Sequence, residues 1–102
     1  MPPIVTNLME SPQGDRETYR TLLDLPGIRL DQIVSNGEAS GEGFWYDQPA
    51  PEWVMLVRGE AVLRFESGEV GLKAGDFLTI PAHARHRVES VSRDAIWLAL
   101  HF

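Results

Sequence analysis

The chain has 102 residues, 43% hydrophobic and 24% charged, a balance that suits one globular domain with one core rather than a disordered chain. Fifteen acidic against nine basic residues leave a net charge of −6, with the basic residues scattered and not gathered in a stripe, so no nucleic acid partner is expected. There is no cysteine, which excludes disulfides, thiolate ligands and a cysteine nucleophile; no apolar run is long enough to span a bilayer, and Met1-Pro2-Pro3 opens no export signal, so a cytoplasmic protein without a membrane partner is expected.

Residues 1–27 are the least regular part, punctuated by Pro2, Pro3, Pro12, Gly14, Pro26 and Gly27. They are expected to pack on the domain formed by residues 28–102. Within them Glu17–Leu25 suits either a short helix or a strand. From Ile28 onward the pattern changes to short β-like runs: Ile28–Ser35, Gly43–Gln48, Trp53–Val57, Ala61–Glu66, Glu69–Leu72, Asp76–Ile80, His86–Ser90 and Ala95–Phe102. Turn signals separate them at Asn36-Gly37, Pro49-Ala50-Pro51, Arg58-Gly59, Ser67-Gly68, Ala74-Gly75 and Pro81. Short strands with tight turns and no helical period predict an all-β sandwich or barrel. The run Trp53-Val54-Met55-Leu56-Val57 is apolar on both faces, so one face should line the interior and the other meet a further layer or a partner. A homodimer is therefore expected.

Two of the three histidines, His83 and His86, follow a strand and Pro81. Gly75, Pro81 and His86 stand in the register of the second motif of the cupin superfamily, with His83 where a glycine is usual and Ser90 where an asparagine is usual. Glu52 and Gly59 match the end of its first motif, and Glu60–Ala74 suits the variable hairpin between the two. The sequence thus resembles a small single-domain cupin over residues 28–102. The resemblance implies an all-β, double-stranded β-helix (jelly-roll) barrel, often dimeric, with a site in its lumen.

By the same resemblance Glu52 and His86 are candidate metal ligands. The family's paired histidines before the glutamate fall on Tyr46 and Gln48, or on Trp45 and Asp47, so neither pairing supplies a histidine. Alternation places Tyr46 and Gln48 on one face, where both could line the lumen. Gln48 offers an amide oxygen, and Gln48, Glu52 and His86 together suit a borderline divalent ion: Zn²⁺, Fe²⁺, Mn²⁺ or Ni²⁺. Without a metal, the Glu52–His86 pair could serve as an oriented general base, and Tyr46 offers a phenol to a substrate. Tyr46, Glu52 and His86 are accordingly the candidate catalytic residues. Tyr46, Gln48, His83 and Arg85 are the candidate contacts to a small-molecule ligand, with Arg85 and Arg87 near the barrel mouth suited to an anion.

Each residue also has a structural reading. Glu52 could pair with Arg58 or Arg64, since an unpaired buried carboxylate is costly. His86 could be an interior histidine bonded to Glu52. His83 fits the rim, and Trp45 and Trp53 fit packing. His101 shares its parity with Trp97 and Ala99, opposite Ile96, Leu98 and Leu100; which set faces inward stays open. The function classes left standing are a metal-dependent or metal-free isomerase, epimerase or dioxygenase-like enzyme, a non-catalytic binding or sensing protein, and a packed structural module.

Overall fold

The computed structural model describes residues 1–10 and 16–102; Pro12 and Gly14 of the N-terminal segment lie outside the described residues. Eight strands form: β1 (Thr18–Leu25), β2 (Ile28–Val34), β3 (Glu52–Arg58), β4 (Glu60–Phe65), β5 (Gly68–Lys73), β6 (Phe77–Ile80), β7 (His86–Val91) and β8 (Ile96–His101). They pair in two antiparallel sheets, ordered β1-β2-β8-β3-β6 and β5-β4-β7. No helix forms among the described residues, and none is therefore long and apolar enough to cross a membrane. This is the all-β architecture the strand pattern predicts, in the jelly-roll form the resemblance implies.

The segment whose residues suit either helix or strand is strand β1. Its Thr18 to Leu25 pair with Val34 to Ile28 of β2, with a bulge between Thr21 and Leu23. On the outer face of this sheet the Gln32 side chain is fully buried, and its Nε2 donates to the Leu8 carbonyl at 2.8 Å, tying residues before β1 to the sheet.

One predicted strand is absent. Gly43–Gln48 makes only an isolated antiparallel bridge, Tyr46 with His86. The segment does follow the free edge of β7, through Ser40 N to Val88 O, the Tyr46–His86 pair and His83 N to Gln48 O. A turn interrupts it, with Phe44 N bonded to Gly41 O and Gly43 at φ 76°, and Pro49 and Pro51 bring no amide hydrogens to extend a ladder.

Alternation decides what faces the interior. Leu56, Ala61, Leu63, Leu72, Ala95 and Trp97 form one buried cluster, and Val54, Ile80 and Ala99 a second; Ile33, Phe65 and Leu78 pack against both. On β8 the inward set is therefore Trp97, Ala99 and His101. The outward set on β3 and β8 includes Trp53, Met55, Leu98 and Leu100, all only half-buried.

Candidate functional site

Direct cross-strand partners share a face of the sheet. Glu52 opens β3 and stands opposite His101 of β8 on one side and Ile80 of β6 on the other. His101 in turn stands opposite Arg29 of β2, and one inward step away Asp31 stands opposite Ala99. His86 arrives from the other sheet as the first residue of β7, opposite Phe65. These elements enclose a cavity of about 260 Å³ lined by Asp31, Tyr46, Gln48, Glu52, His86 and His101, with apolar walls from Ile33, Trp97 and their neighbours.

His86 is held on three sides. Its ring is stacked between Tyr46, at 5.3 Å and 24° between planes, and Phe65, at 5.8 Å and 29°. Its Nδ1 lies 2.8 Å from the Ala84 carbonyl, which can only accept, so the proton belongs on Nδ1 and donates to that oxygen. Nε2 is left facing Glu52 Oε1 at 3.4 Å, with both side chains buried. A neutral imidazole would then set a lone pair against a carboxylate. A proton or a cation must stand between them.

His101, partly buried, faces carboxylates from both of its nitrogens: Nδ1 is 3.7 Å from Glu52 Oε2 and Nε2 is 3.6 Å from Asp31 Oδ2. Asp31 also accepts from Thr21 Oγ1 at 2.9 Å and from Arg29 Nε at 3.0 Å. The lumen thus contains a row of four alternating groups, Asp31, His101, Glu52 and His86. At its mouth the Tyr19 hydroxyl donates to Glu17, and Tyr46 is hydrogen-bonded to Tyr19. Burial, then the charge of Glu17, pushes the Tyr46 phenol above its ordinary value, so it keeps its proton through the neutral range.

Burial alone would depress the His86 imidazole, but Glu52 beside Nε2 and the Ala84 carbonyl on Nδ1 outweigh it and hold the group above its ordinary value. A folded pKa above the unfolded one, about 6.5, gives stability that is complete below the unfolded value and lost as pH rises through the folded one. Chelator-treated protein is therefore expected to melt at a lower temperature at about pH 9 than at about pH 6, and His86→Gln to flatten much of that slope. A variant whose melting temperature falls as steeply as wild type would contradict the assignment.

Of the residues expected at the site, Tyr46, Gln48, Glu52 and His86 line one cavity. His83 and Arg85 do not. The His83 side chain is 68% exposed and pairs with Asp47 at 2.8 Å, and the exposed Arg85 lies over the Trp45 ring at 5.3 Å. His83 has φ 61°, a left-handed conformation that explains why a glycine is usual there in the resembled motif. The reading in which an arginine neutralises Glu52 is corrected: Arg58 bonds the Asp94 carbonyl, and Arg64 pairs with Glu69 and Glu89. Histidines surround Glu52 instead. Sequence reasoning misses His101 and Asp31 as site residues, because their alternation is ambiguous until the β3–β8–β2 register is known.

Charge narrows what the lumen can take. Glu17, Asp31 and Glu52 line it against two cationic groups, Arg29, which is already bound to Asp31, and His86, whose proton is held toward Glu52, so the lining keeps an excess of negative charge. Such a field favours cations and neutral molecules over anions.

The family model for the Cupin domain matches residues 32–101. A protein of Ralstonia eutropha JMP134, provisionally named a mannose-6-phosphate isomerase, is 41% identical with a TM-score of 0.90, and the match covers 97% of each chain. A cupin superfamily protein of Desulfitobacterium hafniense DCB-2 is 17% identical, with a TM-score of 0.75 over 90% of this chain and 82% of that one. KdgF of Halomonas sp. is 15% identical, with a TM-score of 0.72 over 89% and 83%. No curated protein matches the sequence significantly.

Proposed function

The chain belongs to the cupin domain family, and on that premise we propose that it is a small-molecule enzyme of isomerase type, acting by proton transfer on a neutral hydroxy-carbonyl compound in the barrel lumen. The observation that carries this reading is Glu52: a buried carboxylate set between two imidazoles, in an apolar-walled cavity beside a protonated phenol. Clefts that gather ionisable groups at this desolvation cost are where proton chemistry is done. At about 260 Å³ the cavity falls below the range of about 300–1,000 Å³ for drug-sized ligands, so the substrate is small. The name of the Ralstonia protein supports the reaction class, while the acidic lining favours an unphosphorylated substrate.

Cupin domains commonly bind metals, and the donor chemistry here suits one: the free Nε2 of His86 and the Glu52 carboxylate are ligands for a borderline divalent ion. When bound, such an ion would polarise a substrate oxygen. The chain's own groups account for the rest. Tyr46 is kept protonated and its hydroxyl is hydrogen-bonded to Tyr19, which itself donates to Glu17, so Tyr46 reaches a substrate oxygen by turning its hydroxyl from Tyr19 into the lumen. Gln48 faces the same cavity, its amide available to a substrate hydroxyl.

The test is a thermal-shift panel of neutral aldoses, ketoses and their phosphate esters, followed by proton-exchange measurements by NMR in D₂O on whichever compounds bind. Neutral compounds are expected to bind, and Tyr46→Phe to slow exchange by about 10²–10⁴-fold with binding retained. Binding without exchange would make this a binding or sensing protein. Preference for the phosphate esters would overturn the charge argument.

A further inference from the structure

We infer that Tyr19 and Tyr46 form a hydrogen-bonded clasp across the mouth of the lumen, which a ligand must open to enter and to take the Tyr46 proton. The inference deepens the proposed function and rests on its assignment of the lumen as the reaction site.

The two tyrosines come from different sheets. Tyr19 stands on β1, the edge strand of the five-stranded sheet. Tyr46 is tied to β7 of the three-stranded sheet, its N donating to His86 O at 2.7 Å and its O accepting from His86 N at 3.1 Å. Both side chains line the lumen, and the hydrogen bond between them joins the two sheets at the opening. Alternation aims Tyr19 there. It stands opposite Ile33, which packs on the core, while Thr18 and Arg20 on either side of it point outward.

The direction of donation follows from counting protons. A phenol has one to give. Tyr19 gives its own to Glu17 Oε1 at 2.5 Å, and an ionised carboxylate only accepts, so Tyr19 must be the acceptor in its bond with Tyr46. The Tyr46 proton is therefore directed at the mouth and away from the lumen. Its ring is fixed, stacked on His86 and packed edge-on against Phe44 at 4.8 Å, so only the hydroxyl turns. The clasp opens from its other side. Tyr19 is 63% exposed and belongs to neither core cluster, and β1 pairs with β2 alone, with the bulge between Thr21 and Leu23 just beyond. Turning Tyr19 aside thus leaves the core packing intact, as suits an element that moves.

The test reads access to the lumen without a substrate. Trp97 is 6% exposed and lines the lumen wall, so its quenching by acrylamide, a small neutral probe, reports entry through the mouth. Trp45→Phe with Trp53→Phe leaves Trp97 as the sole tryptophan; if that background does not fold, the native chain serves, read through the acrylamide-resistant fraction of its emission. Tyr19→Phe keeps the ring and removes the hydroxyl. It is expected to raise the quenching constant by about 2–12-fold, the equivalent of about 0.5–1.5 kcal/mol for one hydrogen bond. Thr18→Ala, on the same strand but facing outward, should leave quenching unchanged. On any sugar that the thermal-shift panel retains, Tyr19→Phe should lower KM with kcat within about twofold of wild type, because the competitor for the Tyr46 proton is gone. Wild-type quenching in Tyr19→Phe, or an equal rise in Thr18→Ala, would overturn the clasp. So would a lower kcat at unchanged KM, which would make Tyr19 a support for Tyr46 and not its competitor. Raised quenching in Tyr19→Phe, with no sugar bound or exchanged by wild type, sinks the proposed reaction alone. Unchanged quenching, with wild-type exchange intact, sinks this inference alone.

Discussion

Glu52→Leu is expected to abolish turnover and to destabilise metal-free protein by about 1.5–3 kcal/mol near pH 7, the range for a hydrogen bond to a charged group. Removing one member of a buried ion pair can cost more, about 3–5 kcal/mol, when the survivor must stay charged. Here the survivors are imidazoles, which can shed a proton, and His101 keeps Asp31 as a partner. The smaller figure therefore applies. The orphan is His86, walled in by Tyr46 and Phe65 with Nε2 facing no acceptor. Adding His86→Leu removes that orphan, so the double variant is expected to recover most of the lost stability or exceed wild type, while remaining inactive. Urea denaturation of the three proteins at equal m-value measures this directly. A double variant less stable than Glu52→Leu alone would show that the pair is kept for the fold; recovery would show that it is kept for chemistry, at a cost in stability.

Strand existence was legible because these strands are short, punctuated by glycine or proline, and apolar at alternate or all positions. Seven of the eight expected runs appear as β2 to β8 with small shifts at their ends, Gly43–Gln48 being the exception, and β1 arises from the ambiguous segment before them. Glu17–Leu25 could not be assigned from its own residues, because Tyr19, Leu22, Leu23 and Leu25 serve either period; pairing with β2, a tertiary fact, decides it. The Gly43–Gln48 run failed for the converse reason. Its aromatics suit a strand, yet the glycine turn before it and the prolines after it leave one bridge.

The site was half legible. Glu52 and His86 sit at fixed distances from glycines and a proline that shape the ends of β3 and the approach to β7, so sequence spacing reports them. His101 and Asp31 belong to no such spacing. His101 reaches the lumen because β8 lies between β2 and β3 in a register that sets it opposite Glu52. Nothing local announces that pairing. Ile96, Leu98 and Leu100 make the outward face of β8 as apolar as its inward one, and alternation has no polarity contrast to read.

Gly59 links this register to the sequence motif, and Gly59→Ala is expected to cost about 2–5 kcal/mol, the backbone and contact shares together. It adopts φ 95°, which by itself penalises an L-residue by about 1–2 kcal/mol. A Cβ there would also stand 2.4 Å from Ser92 Oγ, 2.9 Å from Ala95 Cα and 3.0 Å from Ala95 Cβ, an overpacking worth about 1–3 kcal/mol more. Ser92 cannot simply turn aside, because its hydroxyl accepts from Glu60 N at 3.0 Å. Gly75 separates the two contributions. It has φ 96°, but a Cβ added there would meet nothing within 4 Å, so Gly75→Ala should cost only the backbone share, about 1–2 kcal/mol. At roughly 4–8 °C per kcal/mol for a domain of this size, the two variants should differ clearly in thermal melts; equal losses would show that the contact with Ser92 and Ala95 is slack. Gly59 follows directly on β3, and Ala95 directly precedes β8, the two strands that set Glu52 opposite His101. Forcing Gly59 and Ala95 apart strains the shared register from its far end, so Gly59→Ala that still folds is expected to bind small molecules in the lumen more weakly than Gly75→Ala, though neither glycine touches the lumen.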